Sequence, residues 1–271
     1  MVSVATIICI VISLLVSVAL PVVLLLIFAG KHKKQGIFSA WLLGAAGFFV
    51  TQILIRIPIL TALQTQSWFL SLASNHLIIY GFGLAFTAGL FELAGRFVVA
   101  RLLAKKGLNP RRSLAAGLGH GGIEAIFIAG IAMINNLAYA AMINAGTFQE
   151  VLAQTAAMGV DVSQLELIGE QLITYSPAMF LLSGFERILA MTAHAAMSML
   201  VCYGVAHNKV LPCTLVCLVL HTFIDFTAVL VQILPQTAAY LIVYTVLTAV
   251  AICSLWILRE LHRRWNKEEV L

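Results

Sequence analysis

Ten ionisable side chains fall inside long apolar runs of this chain: Arg56, Glu92, Arg96, His120, Glu124, Glu186, Arg187, His194, His221 and Asp225. A charge at the centre of a bilayer costs at least ~2.5 kcal/mol on the insertion scale, so ten such residues need a shared explanation. Their spacing supplies one. Glu92 and Arg96, His120 and Glu124, and His221 and Asp225 are each four residues apart, so each pair shares a helix face. Arg187 and His194 are seven apart, two turns along one face. Glu186 is turned from His194 by roughly 80° and can still point into a bundle interior. Imidazoles and carboxylates are the donor set of a zinc-type ion, and a carboxylate near such an ion can take a proton from its water. The same residue types also line ion paths or tie helices together by hydrogen bonds. Among the ten, four acids face three arginines. A divalent cation or a protonated acid would offset the missing positive charge.

The elements that must position these groups are legible from composition. Of 271 residues 62% are hydrophobic and only 10% are charged, with a mean hydropathy of +1.03. A soluble domain carries about a quarter charged residues, so the chain is expected in lipid. Seven apolar segments, about 4–29, 38–63, 74–103, 113–144, 177–206, 210–232 and 237–258, each meet the ~20-residue spanning length. The fold class is therefore all-α: a polytopic transmembrane helix bundle, read as one domain over 1–271. At 1.5 Å per residue, Glu92, His120, Glu124, His194 and His221 fall within a turn or two of one depth, with Asp225 and Glu186 nearer the outer face.

The net charge of +5 is distributed as topology, not as a nucleic-acid surface. Lys31, Lys33 and Lys34 follow the first segment, and Arg101, Lys105, Lys106, Arg111 and Arg112 join the third to the fourth. Lys209 lies between the fifth and sixth, and Arg259, Arg263, Arg264 and Lys267 follow the seventh. The alternate loops hold no Lys or Arg, and the long outer loop 145–176 carries Glu150, Asp161, Glu166 and Glu170. This pattern predicts an outer N-terminus and a cytoplasmic C-terminus. Apolar residues at helical spacing in 145–176 predict a short amphipathic helix at the outer interface. The five cysteines sit in apolar stretches without a CxxC pair and read as small core residues. The N-terminal run lacks a basic n-region and is read as a retained helix.

The stretch Gly117-Leu-Gly-His120-Gly-Gly-Ile-Glu124-Ala, then Phe185-Glu186-Arg187 with His194, then His221-Thr-Phe-Ile-Asp225, resembles the YhfC family of intramembrane metalloproteases. Glu92-Leu-Ala-Gly-Arg96 fits the same pattern, and the resemblance runs over roughly residues 85–230. That family is grouped with type II CAAX prenyl proteases, bacteriocin-processing proteins and PrsW-like proteases. Those enzymes carry Glu-Glu-x-x-x-Arg, Phe-x-x-x-His and His-x-x-x-Asn/Asp motifs around a site in the membrane. The resemblance implies that Glu92 and Arg96 are the second Glu and the Arg of the first motif, and that His221 and Asp225 are the third. His194 and His120 both compete for the middle histidine. Two features depart from the pattern: Phe91 stands where the first Glu belongs, and Phe185 is farther from His194 than the motif allows.

These residues point to metal-assisted peptide hydrolysis inside the bilayer by a four-helix core over about 74–232. His120, His194 and His221 are assigned as metal ligands, with Asp225 as fourth ligand or orienter. The general base is Glu92, Glu124 or Glu186, with Glu124 favoured, and Arg96 pairs with Glu92 or stabilises an oxyanion. The cofactor implied is a divalent metal of the zinc type. The partners are membrane lipid and a peptide or membrane-protein substrate, in the cytoplasmic membrane, with no nucleic acid. The alternatives are a non-catalytic membrane scaffold or a proton- or ion-coupled transporter. No HExxH or GxSxG motif is present, which sets aside zincins and nucleophile-elbow hydrolases. Gly117, Gly119, Gly121 and Gly122 clear almost two turns for a close neighbour, either a helix or an extended substrate.

Overall fold

The structure is a computed structural model; it describes residues 1–33 and 35–268, with side chains described to 265. Lys34 and the Lys267 side chain, both part of the charge pattern, lie outside the described residues. Among those residues the chain is helical throughout and holds no strand. Seven helices among the described residues are long and apolar enough to cross a membrane. They are α1 (Val4–Lys31), α2 (Ile37–Leu63), α4 (Leu77–Ala104), α5 (Pro110–Ala145), α8 (Pro177–Ala206), α9 (Val210–Ile233) and α10 (Gln236–Glu268). Three shorter helices connect them: α3 (Ser67–Asn75), α6 (Phe148–Ala157) and α7 (Ser163–Thr174). The segment predicted at 74–103 thus begins at Leu77, after a separate α3, and the 145–176 loop holds two short helices instead of one.

Local chemistry sets several of the boundaries. Asn109 caps α5 by accepting the Arg112 N–H at 2.9 Å, and Pro110 occupies the first helical position, where its missing N–H costs nothing. Gly146 ends α5 in the left-handed region at φ 77°, a conformation that favours glycine. Two stretches inside the spans, Phe49–Arg56 of α2 and Ala125–Gly130 of α5, are wound as π-helix, which turns the following side chains relative to a regular helix.

The chain divides into two compact units. The first comprises Met1–Val22 and Ala125–Ile188. Its core gathers Val2, Ile10, Met133, Ala140, Leu172 and Phe180. Ser13 Oγ donates to the Phe180 carbonyl at 2.6 Å and accepts the Gly184 N–H at 3.3 Å, so a hydroxyl ties α1 to α8 within this unit. Asn144 exchanges two hydrogen bonds with the Val2 backbone, fixing the start of the chain.

The second unit comprises Val23–Glu124 and Leu189–Leu271. Its largest core is built from Met197, Val201, Cys202, Tyr203, Cys213, Cys217 and neighbours. All five cysteines are free, and Cys202, Cys213 and Cys217 are buried in that core as small apolar fillers. Helix α2 lies directly on α5: Gly44 meets the backbone of Ala116, and Gly119 meets the backbone of Trp41, with no room for a Cβ at either. Gly117 and Gly121 admit α8, where a Cβ would come within 2.7 Å of Ala195 Cα and 3.0 Å of His194 Cβ. Gly117, Gly119 and Gly121 around His120 are thus spent on helix packing. Val219, Leu241, Ile252 and Trp256 leave broad apolar faces exposed, as lipid-facing surfaces require.

Candidate metal centre

Glu92 of α4 is the hub of the polar residues in the second unit. It is 4% exposed, and both of its oxygens are engaged. Oε1 accepts from Gln52 Nε2 at 2.8 Å, and Oε2 accepts from Arg96 Nη2 at 3.0 Å. His120 Nε2 stands 2.9 Å from the same Oε2, so with Glu92 ionised it is the protonated ring nitrogen and donates. Two more imidazoles face that oxygen at longer range: His194 Nδ1 at 3.6 Å and His221 Nδ1 at 3.5 Å. The His120 and His194 rings stack with centroids 5.3 Å apart, and His194 meets His221 edge-on at 5.6 Å.

Glu92, His194 and His221 form a group in which one donor atom from each lies within 4.8 Å of the others. Donors around a tetrahedral ion at 2.0–2.1 Å are separated by about 3.3 Å, so the 3.5 and 3.6 Å spacings fit with little adjustment. The buried His221 Nδ1 has no hydrogen-bond partner among the described residues, which is costly for an atom that could instead donate its lone pair to a cation. The far nitrogen of each ring faces an acid: His221 Nε2 lies 3.2 Å from Asp225 Oδ2, and His194 Nε2 lies 2.6 Å from Glu124 Oε2. A carboxylate behind an imidazole places the ring proton on that side and turns the other nitrogen's lone pair inward. Arg96 Nη2 is also 2.5 Å from His194 Nδ1, so one guanidinium spans two members of the group. The donor set fits a divalent cation of the borderline-soft kind.

The predicted site residues thus divide. Glu92, Arg96, His120, Glu124, His194, His221 and Asp225 all meet in the second unit. The three donors within ligating reach are Glu92, His194 and His221; His120 serves as a hydrogen-bond partner of Glu92, and Asp225 backs His221. Glu186 belongs to the first unit, where it pairs with Arg187. Gln52, from the π-helical turn of α2, was not singled out in the sequence, although Gln52 and Arg56 repeat the four-residue spacing of the other pairs. Arg56 does not reach Glu92 itself: it hydrogen-bonds Gln52 and the Leu84 carbonyl, and Gln52 makes the contact.

Comparison with known proteins bears on this geometry. A family model described as the YhfC intramembrane metalloprotease matches residues 16–249. The chain belongs to the YhfC intramembrane metalloprotease family. The membrane protein YhfC of Bacillus subtilis (strain 168) is 32% identical over 243 residues, covering 89% of this chain and 90% of its own. No solved structure matches. The YhfC match spans α2 to α9, every element that carries a residue of the Glu92 cluster. Family membership and the Glu/His/His group together imply a divalent metal.

Proposed function

We propose that this chain is an intramembrane metallopeptidase of the cytoplasmic membrane that hydrolyses peptide bonds in or near the bilayer. The observation that carries the reading is the convergence of Glu92, His194 and His221 donors, with a carboxylate behind each imidazole. Glu92, His194 and His221 would hold a zinc-like ion, whose usual donors are imidazole nitrogen and carboxylate oxygen. When bound, that ion supplies Lewis acidity toward a peptide carbonyl and toward water.

The chain's own residues divide the remaining work. Asp225 holds His221, whose Nδ1 faces Glu92. His120 and Gln52 hold the Glu92 carboxylate from two sides. Because both Glu92 oxygens already accept hydrogen bonds, Glu124 is the better proton acceptor, and its side chain is 16% exposed against 5% for Glu92. Glu124 would then take over, from α5, the role of the glutamate that Phe91 displaces from α4. Exclusion of water by the buried walls strengthens each of these electrostatic contacts.

A second reading, a metal-free scaffold with a polar core, is favoured by one observation. Arg96 Nη2 lies against both Glu92 and His194, in the place a cation would take. The two are separated by reconstituting the purified chain in liposomes with a quenched fluorescent transmembrane peptide. The peptidase reading expects cleavage that stops on chelation, returns with added zinc and is lost in Glu124→Gln. Uncleaved peptide across a diverse transmembrane set, with metal supplied, would leave the scaffold.

A further inference from the structure

One cavity of the second unit has no part in the Glu92 cluster. It has a volume of about 770 Å³ and lies where three chain segments meet: the turn after α1, the α4–α5 connection and the last turns of α10. Among its described lining residues, Lys106, Arg111, Arg112 and His262 are basic and none is acidic. A cavity lined by one sign of charge concentrates the opposite sign.

Topology alone places basic residues at this end of the spans, but it does not bury them or shape a pocket around them. Arg112 is only 9% exposed. Its Nη1 donates to the carbonyls of Lys106 and Gly107, at 2.5 and 2.7 Å, which holds the α4–α5 turn in shape. Its Nε has no hydrogen-bond partner among the described residues. Gly36, at φ 68°, packs on the same guanidinium, so that a Cβ there would come within 3.0 Å of Nη2. Arg111 reaches Gln35 Oε1 through Nη1 at 3.2 Å. Neither Arg111 nor Lys106 has an ion-pair partner among the described residues. The cavity wall includes the start of α5, which adds the positive end of a helix dipole.

We infer that this cavity binds the phosphate of an anionic phospholipid headgroup. The occupant follows from position: the lining residues sit at the ends of membrane spans, level with headgroups, where pockets of Lys and Arg between helices take up anionic lipid. Lys106 and Arg111 are the exposed arms that would close on the phosphate, and Arg112 is the buried floor.

The test is calorimetric titration of the full-length chain in neutral detergent with short-chain phosphatidylglycerol, phosphatidylcholine and inorganic phosphate. Phosphatidylglycerol is expected to bind at one site, more tightly than the other two. Removing both arms, in Lys106→Gln/Arg111→Gln, is expected to weaken it roughly thirtyfold, from the loss of two near-surface charges. The control Arg101→Gln/Lys105→Gln takes the same charge from the end of α4 and the residue after it, outside the cavity lining, and is expected to leave binding nearly unchanged. Equal losses in the two double variants would reduce the effect to general surface charge and overturn the site. Equal binding of phosphatidylcholine would overturn it too. Inorganic phosphate binding as tightly as phosphatidylglycerol, with the same sensitivity to the first variant, would overturn the lipid assignment in favour of a soluble phosphate.

Discussion

Removing Asp225 should weaken metal binding without touching a proposed ligand, and the reason is a tautomer. A neutral imidazole carries one proton. In the structure His221 Nε2 lies 3.2 Å from Asp225, while Nδ1 faces Glu92 at 3.5 Å with no hydrogen bond to any described residue. Asp225 therefore keeps the proton on Nε2 and the Nδ1 lone pair available. In Asp225→Ala the proton is drawn to Nδ1, toward Glu92, and the metal must displace it. Losing such a carboxylate behind a ligand typically costs 10–100-fold in affinity, about 1.4–2.7 kcal/mol. Asp225 is partly exposed, its side chain at 36%, which places the expected loss at the lower end of that range. Asp225→Asn keeps an acceptor oxygen but no charge, and charge-assisted bonds are about twice as strong as neutral ones, so roughly half of the energetic loss is expected. The assay is competition for zinc against a chromophoric chelator, with folding followed by thermal melting of the same samples. The reasoning is refuted if Asp225→Ala stays folded and binds zinc as tightly as the wild type, or if the asparagine variant loses more than the alanine variant.

Other consequences are equally direct. Glu124→Gln retains an oxygen facing His194 and should still bind metal, with the weakened affinity argued for Asp225→Asn, yet at saturating zinc lose about 10²–10⁴-fold in peptide cleavage if Glu124 is the base, measured by single-turnover hydrolysis in liposomes. Gly119→Ala pushes a Cβ into the Trp41 backbone and should destabilise the second unit by about 1–3 kcal/mol in detergent unfolding. Gly83→Ala, on the same test, meets nothing within 4 Å and should be neutral or gain up to about 1 kcal/mol from helix propensity. Gln52→Leu strips Glu92 Oε1 of its donor and should lower zinc affinity while leaving the metal-binding stoichiometry intact, as the same competition titration would show.

Much of this organisation was legible in the sequence because bilayer chemistry leaves few options. Apolar runs of spanning length had to become helices, and the seven spans stand close to where hydropathy put them. Residues four apart had to share a face, and Glu92–Arg96 and His221–Asp225 are in contact as the spacing required. What spacing along one helix cannot give is the rotation of one helix against another. His120 and His194 sit at similar depth, and the motif resemblance left both as candidates for the middle histidine. Only the packing of α5 and α8 on α4 puts His120 behind Glu92 and His194 beside it. Gln52 was hidden for a related reason: a π-helical turn re-aims it, and no residue type announces such a turn. The loop 145–176 read as one amphipathic helix because its apolar spacing continues through Gly159, where the chain breaks at φ 78°.

The central claim is that Glu92, His194 and His221, and not three histidines, hold a metal. Metal content of the purified chain, protected from chelators and measured by elemental analysis, tests it in the wild type and in Glu92→Gln, His194→Ala, His221→Ala and His120→Ala. One zinc-like ion per chain is expected in the wild type, lost in the first three variants and retained with weakened affinity in His120→Ala, whose ring hydrogen-bonds the Glu92 carboxylate and stacks on His194. A wild-type protein free of metal after loading would contradict the account, and so would loss of metal in His120→Ala with retention in Glu92→Gln.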